Sequence, residues 1–247
     1  MDAQTPQAEE PNAAELSLPQ AFLLLATNDT DGEPEVPAYI LRTTLAGAIL
    51  AELELTGAIG LQGKHVRATG TARPTDFQHQ LELIRHKSRP HTPKRWVSML
   101  EGRAEVQRVY EGMASRGIVD HVGEKHLGLF KTVRYPEKDH APEAAIRHKI
   151  KAALGLKPSD ATPTDAAPSD TTPPAATPTD ATPAAAKPTD ARTTALVALL
   201  EAAGLLDKLF PAADRDLPRK LAKDYWPARA VADELRMIRL AEAEAMT

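Results

Sequence analysis

The stretch Val36-Pro-Ala-Tyr-Ile-Leu-Arg-Thr-Thr-Leu-Ala-Gly-Ala-Ile-Leu-Ala-Glu-Leu-Glu-Leu-Thr-Gly57 decides the fold class. Leu41, Leu45, Ala48, Ile49, Glu52 and Leu53 recur at helical spacing, and Gly57 stops the pattern. This is a long helix with an apolar face, and such a face has to be buried by others like it. Its most apolar part, Ala46 to Leu55, contains Glu52 and Glu54 and is too short to span a bilayer.

Working outward, the same reading gives more helices. Leu18 to Thr27 follows Ser17, a good N-cap, and carries Pro19 in its first turn. Asp76 to Lys87 sets Phe77, Leu81 and Ile84 on one face; Pro93 opens a helix with Trp96, Val97 and Leu100. A helix from Glu101 or Arg103 to Arg116 is closed by Gly117. Pro142 to Leu154, Thr193 to Leu206, a short helix near Leu217 to Tyr225, and Ala228 to Ala245 complete the set. Strands are few. Ala58 to Leu61 pairs with His65 to Thr69, and Ile118-Val119 with Leu127 to Val133 forms a hairpin turning around Gly123-Glu124-Lys125. The expected fold is mainly α: one helical domain with a protruding β-hairpin.

The chain has 247 residues, 30 basic and 34 acidic side chains, and a formal net charge of −4. That excludes a uniformly basic coat for nucleic acid. With no cysteine, disulfides, thiolate zinc sites and cysteine nucleophiles are impossible. Aromatics at 4% and 21 prolines make the folded part smaller than the chain. Residues 1–15 carry acid and proline but no lysine or arginine. They read as a disordered acidic N-terminus, not a secretory signal. From Pro158 to Ala191 the chain is Pro-Thr-Asp and Pro-Ser-Asp units with nothing larger than threonine to bury, apart from a single lysine. This is a disordered insertion within the domain 16–247, a tether spanning roughly 30–40 Å by flexible-chain scaling.

Charge is uneven. Met1 to Glu35 has eight acids and no Lys or Arg. Lys64 to Lys151 has 18 Lys or Arg against 10 Asp or Glu, and all eight histidines. The densest basic run, Arg85 to Trp96, ends in an amphipathic aromatic, as a surface attracted to lipid or nucleic-acid phosphate would. The alternative is a solvated loop between helices. No phosphate-binding loop, dinucleotide turn or nucleophile elbow occurs, so no catalytic residue and no cofactor is assigned. The histidines at 86/91 and 121/126 are five apart, a spacing that suits no metal pair, and no metal site is expected from it.

Five ordered stretches resemble the Golgi phosphoprotein 3 family, chiefly its bacterial branch. They are Leu16-Ser-Leu-Pro-Gln-Ala-Phe-Leu-Leu-Leu-Ala26; Leu45-Ala-Gly-Ala-Ile-Leu-Ala-Glu-Leu-Glu-Leu-Thr-Gly57; and Trp96-Val-Ser-Met-Leu100. The fourth is Arg116-Gly-Ile-Val119 with Leu127-Gly-Leu-Phe130 and Tyr135-Pro136. The fifth is Ala141-Pro-Glu-Ala-Ala145 with Arg192 to Leu200 and Ala203-Gly-Leu-Leu206. The resemblance implies a non-enzymatic peripheral membrane adaptor on the cytosolic face of a membrane. It would bind anionic phospholipid, phosphatidylinositol 4-phosphate in the eukaryotic members, and hold protein tails of membrane enzymes. The family's hairpin implies membrane contact or homo-oligomer formation, here through Leu127, Leu129 and Phe130. In the family's headgroup site a tryptophan and three arginines act together. The matching positions here are Pro37, Ala46, Arg103 and Val106, with Arg108 close enough to assist Arg103. Anionic-lipid affinity without strict phosphoinositide selectivity is the expectation. The alternative is a winged-helix-like nucleic-acid module, in which a basic helix precedes a hairpin; Glu105 and Glu111 on that helix oppose it. A histidine-dependent hydrolase or transferase ranks last.

Overall fold

The computed structural model describes residues 16–70, 74–126, 130–156 and 190–245, with side chains of 124–126 and 130–132 outside the description. The acidic 1–15 segment and nearly all of the Pro158–Ala191 stretch therefore lie outside the described residues, as do Leu127 and Leu129 and the side chain of Phe130. The protein is mainly helical, with ten helices and two separate two-stranded antiparallel sheets among the described residues.

The long helix of the opening stretch, α2 (Ala38–Leu55), is the centre. Around it pack α1 (Leu18–Leu25), α4 (Pro93–Leu100), α5 (Arg103–Ser115), α7 (Ala191–Ala203) and α10 (Trp226–Ala245). Neighbours on several sides explain why nearly every α2 residue from Ile40 to Leu53 is buried. Gly47 is fixed by packing: a Cβ there would overlap Val231 Cγ2 on α10. β-branched Val231 has little freedom to yield, so the two helices approach at a distance only glycine allows. The buried apolar side chains form one cluster, and Trp96, Phe22 and Met113 are among its largest members.

Four further helices complete the packing: α3 (Gln78–Arg85), α6 (Ala141–Ala153), α8 (Leu206–Leu209) and α9 (Asp216–Asp224). The N-termini of α1 and α7 meet α2 at a buried acid. Glu52 accepts from Leu18 N at 2.7 Å and from Arg192 Nη1 and Nη2 at 2.5 and 3.1 Å. This explains an acid on the apolar face of α2. Ser17 is the N-cap of α1 as expected, and Gln20 Oε1 reaches back to accept from Ser17 N at 3.1 Å. Asp190 caps α7, accepting from Arg192 N at 3.0 Å and Thr193 Oγ1 at 3.0 Å. Asp190 and Ala191 thus belong to α7 and not to the insertion.

The expected strands near residue 60 form β1 (Ile59–Gln62) and β2 (His65–Ala68). The second hairpin corrects the sequence reading. Gly123, Glu124 and Lys125 are not a turn; they lie within β3 (Val122–His126), opposite Val133, Thr132 and Lys131 of β4 (Phe130–Arg134). The pairing runs as far as His126 opposite Phe130. Polarity misplaced the turn because an isolated two-stranded ribbon has little apolar face to enforce alternation.

Candidate anion-binding site

Arg103 is the first residue of α5, exposed, next to Gly102 at a helix N-terminus whose dipole favours anions. Arg108, five residues on, lies about 140° further around the helix at 3.6 residues per turn. It pairs with Glu105 at 2.6 Å, and Glu105 also accepts from Gln80 Nε2 at 2.5 Å. The remaining family positions carry no charge. Ala46 is 1% exposed, Val106 is half-buried against the core, and Pro37 caps α2. A carboxylate also stands at the α2–α4 junction, where Thr43 Oγ1 donates to Glu101 Oε2 at 2.7 Å. Arg103 and Arg108 are not brought together by α5 into one anion clamp.

The basic run at 85–96 divides in two. Arg85 and His86 fold back onto Glu82 at 2.5 and 2.9 Å. Trp96 is 0% exposed and sits edge-on to His91 with centroids 5.5 Å apart. The aromatic that seemed suited to a membrane surface is a core residue, because helix spacing from Pro93 turns it inward with Val97 and Leu100. Lys94 stays outside, exposed in the first turn of α4, where Thr92 Oγ1 accepts from Arg95 N at 3.4 Å.

Lys94 faces a groove of about 240 Å³. Its walls are the β1–β2 turn with Gly63 and Lys64, the start of α4, and the first turns of α10 with Trp226, Arg229 and Asp233. A backbone hydrogen bond from Val66 N to His91 O, 2.9 Å, ties the hairpin to the segment leading into α4. Trp226 is pinned as part of the wall by its Nε1 donating to Glu54 Oε1 at 2.6 Å. Lys64, Lys94 and Arg229 are exposed, and none has an ion-pair partner among the described residues. Asp233 is the one acid lining the groove. Three cations, a helix N-terminus and an aromatic wall suit a phosphate or other compact anion. Sequence reading missed this grouping. Lys94 lay in a flagged run, but Lys64 and Arg229 are separated by most of the chain and no spacing joins them.

A second polar cluster lies across the molecule. Tyr110 and Tyr135 stack with centroids 4.3 Å apart, and Thr27 Oγ1 meets Tyr110 Oη at 2.6 Å. Burial pushes the Tyr110 hydroxyl up to about 12. Nearby, burial raises Glu137, and its hydrogen bond with His140 raises the imidazole. Burial pushes Glu143 up to about 7 against the opposing pull of Arg147.

A helical core around one central buried helix, with two two-stranded hairpins, defines a mainly helical class of protein. Among the described residues no helix is long and apolar enough to cross a membrane. The chain belongs to the Golgi phosphoprotein 3 (GPP34) family, whose profile matches residues 18–238. A comparison with curated proteins gave no match.

Proposed function

We propose that the protein is a non-enzymatic peripheral membrane adaptor that docks on anionic phospholipid, with phosphatidylinositol 4-phosphate as the ligand the family resemblance implies. The observation that carries this reading is the convergence of Lys64, Lys94 and Arg229, without ion-pair partners, on one groove. Each cation near an anionic leaflet contributes about 1 kcal/mol, so three raise affinity by roughly two orders of magnitude. Arg103, at the start of α5, is the proposed second contact, the remnant of the family's headgroup site, with Arg108 assisting from another face of the helix. Leu127, Leu129 and Phe130 are the proposed interfacial or homo-oligomer contact, and protein tails of membrane enzymes are the proposed cargo. The location is the cytosolic face of a membrane, the Golgi in a eukaryotic cell.

Two double variants separate the contacts in vesicle co-sedimentation at fixed anionic-lipid content. Lys94→Glu with Arg229→Glu is expected to abolish pelleting. Arg103→Ala with Arg108→Ala is expected to weaken it severalfold. If the first pair pellets like the unmodified chain, the groove is not the headgroup seat. A duplex-DNA arm tests the nucleic-acid alternative, which α5 opposes through its Glu105–Arg108 and Gln107–Glu111 pairs.

A further inference from the structure

Asp29 and Glu137 are far apart in sequence, yet the fold stitches their segments together. Asn28 Oδ1 accepts from Thr30 N and Asp31 N at 3.0 and 3.2 Å, folding the loop tightly. Gly32 then lies flat on the chain after β4: its φ is +69°, and a Cβ would overlap backbone atoms of Tyr135 and Pro136. Glu137 N donates to Asp29 O at 2.9 Å, and Arg134 pairs with Glu33 at 2.7 Å. Rigid backbone on both sides therefore holds the Asp29 and Glu137 side chains at one place. His140, which precedes α6, hydrogen-bonds through Nδ1 to Glu137 Oε2.

One ligand atom from each of Asp29, Glu137 and His140 lies within 4.8 Å of the others. Tetrahedral donors around a transition metal, with bonds of 2.0–2.2 Å, lie about 3.3–3.6 Å apart; the His140–Glu137 hydrogen bond is shorter than this, so rotamer adjustments have to bring all three atoms to that spacing. Such a cluster on a surface has no meaning by itself, but a separate observation marks this one. The Glu137 side chain is only 3% exposed, and its Oε1 has no hydrogen-bond partner. Tyr135 is 6% exposed, and its hydroxyl is likewise unpartnered. Both residues line, with Asp29, a cavity of about 10 Å³, the space of a single water or ion. A buried carboxylate oxygen left unsatisfied is costly, and a cation beside it removes that cost.

We infer that Asp29, Glu137 and His140 form a site for one divalent transition-metal ion, Zn²⁺ or Mn²⁺ by donor type. Two carboxylates and an imidazole select these over Ca²⁺ or Mg²⁺, which prefer all-oxygen shells. The ion sits against both Glu137 oxygens: it satisfies Oε1 and replaces the hydrogen bond between His140 Nδ1 and Glu137 Oε2, so binding releases a proton whenever the imidazole is charged. Its structural effect is to clamp the loop at 28–33 to the segment joining β4 to α6. The site is independent of the headgroup groove.

The test is titration calorimetry of the chelator-treated full chain with Zn²⁺, Mn²⁺ and Ca²⁺, with Tm followed alongside. The expected result is one Zn²⁺ or Mn²⁺ per chain, little response to Ca²⁺, and a Tm that climbs with the logarithm of metal concentration. Asp29→Asn and His140→Ala alter exposed side chains and leave the core intact; each should weaken binding at least tenfold. His86→Ala, a control at another exposed histidine, should not. No saturable one-to-one binding, or binding unchanged in both Asp29→Asn and His140→Ala, overturns the inference and leaves the cavity to water.

Discussion

Glu52 carries more of the architecture than any other polar residue described. It is 6% exposed and bonded to the starts of two other helices, so its removal takes a buried acceptor from Leu18 N and from Arg192 together. Removing one partner of a buried pair costs about 3–5 kcal/mol; with Arg192 a quarter exposed, Glu52→Ala is expected near ~3 kcal/mol. Urea denaturation of Glu52→Ala, Arg192→Ala and the double variant measures this. The double loss should be smaller than the sum, because the two single variants each remove the same Glu52–Arg192 pair. Additive losses would mean that the two side chains act separately. The position of Glu52 on a helical face was readable in the sequence, but its partners were not, since Leu18 and Arg192 come from remote segments. The same limit hid the groove and the Asp29–Glu137 convergence. At the other extreme Ala46 and Val106 stood out by family position; Ala46 is buried and Val106 half-buried against the core.

At the scale of elements, local signals worked where they were chemical. Pro93 and Gly117 mark helix ends by conformation, and each lies at a helix boundary, whereas Asp190, the cap of α7, was read as part of the insertion. Polarity alone failed: it suggested a turn at Gly123-Glu124-Lys125, where the chain is paired strand, and a surface role for Trp96, which is core. The Asp190 cap yields a pH prediction. Partial burial pushes its carboxyl up, but the hydrogen bonds from Arg192 and Thr193 outweigh this and hold it below the ordinary aspartate value. A carboxyl with a depressed folded-state pKa stabilises the fold above its unfolded pKa and loses that contribution as pH falls through the folded one. Asp190→Ala should therefore cost about 1 kcal/mol at neutral pH. The difference from the unmodified chain should shrink toward zero as pH falls below the ordinary aspartate range. Tm measured across that range checks it, and a gap independent of pH would show that the cap works without its charge.

For the molecule as a whole, the mainly helical fold was legible because α2 fixes it: a long apolar helix requires helices around it. The charge split was legible too, with a basic stretch inside a chain of net charge −4. What the sequence withheld was which cations converge. Arg85 and Arg108 are tied to acids, whereas Lys64, Lys94 and Arg229 meet at a groove. Membrane docking through that groove is the central claim, and co-sedimentation of the full chain tests it most directly. Neutral vesicles, vesicles with generic anionic lipid, and vesicles with phosphatidylinositol 4-phosphate are compared at equal charge. Pelleting with both charged sets, little with the neutral set, and loss of binding as salt rises are predicted. Equal recovery with neutral and charged vesicles, or no pelleting with any, would contradict the account.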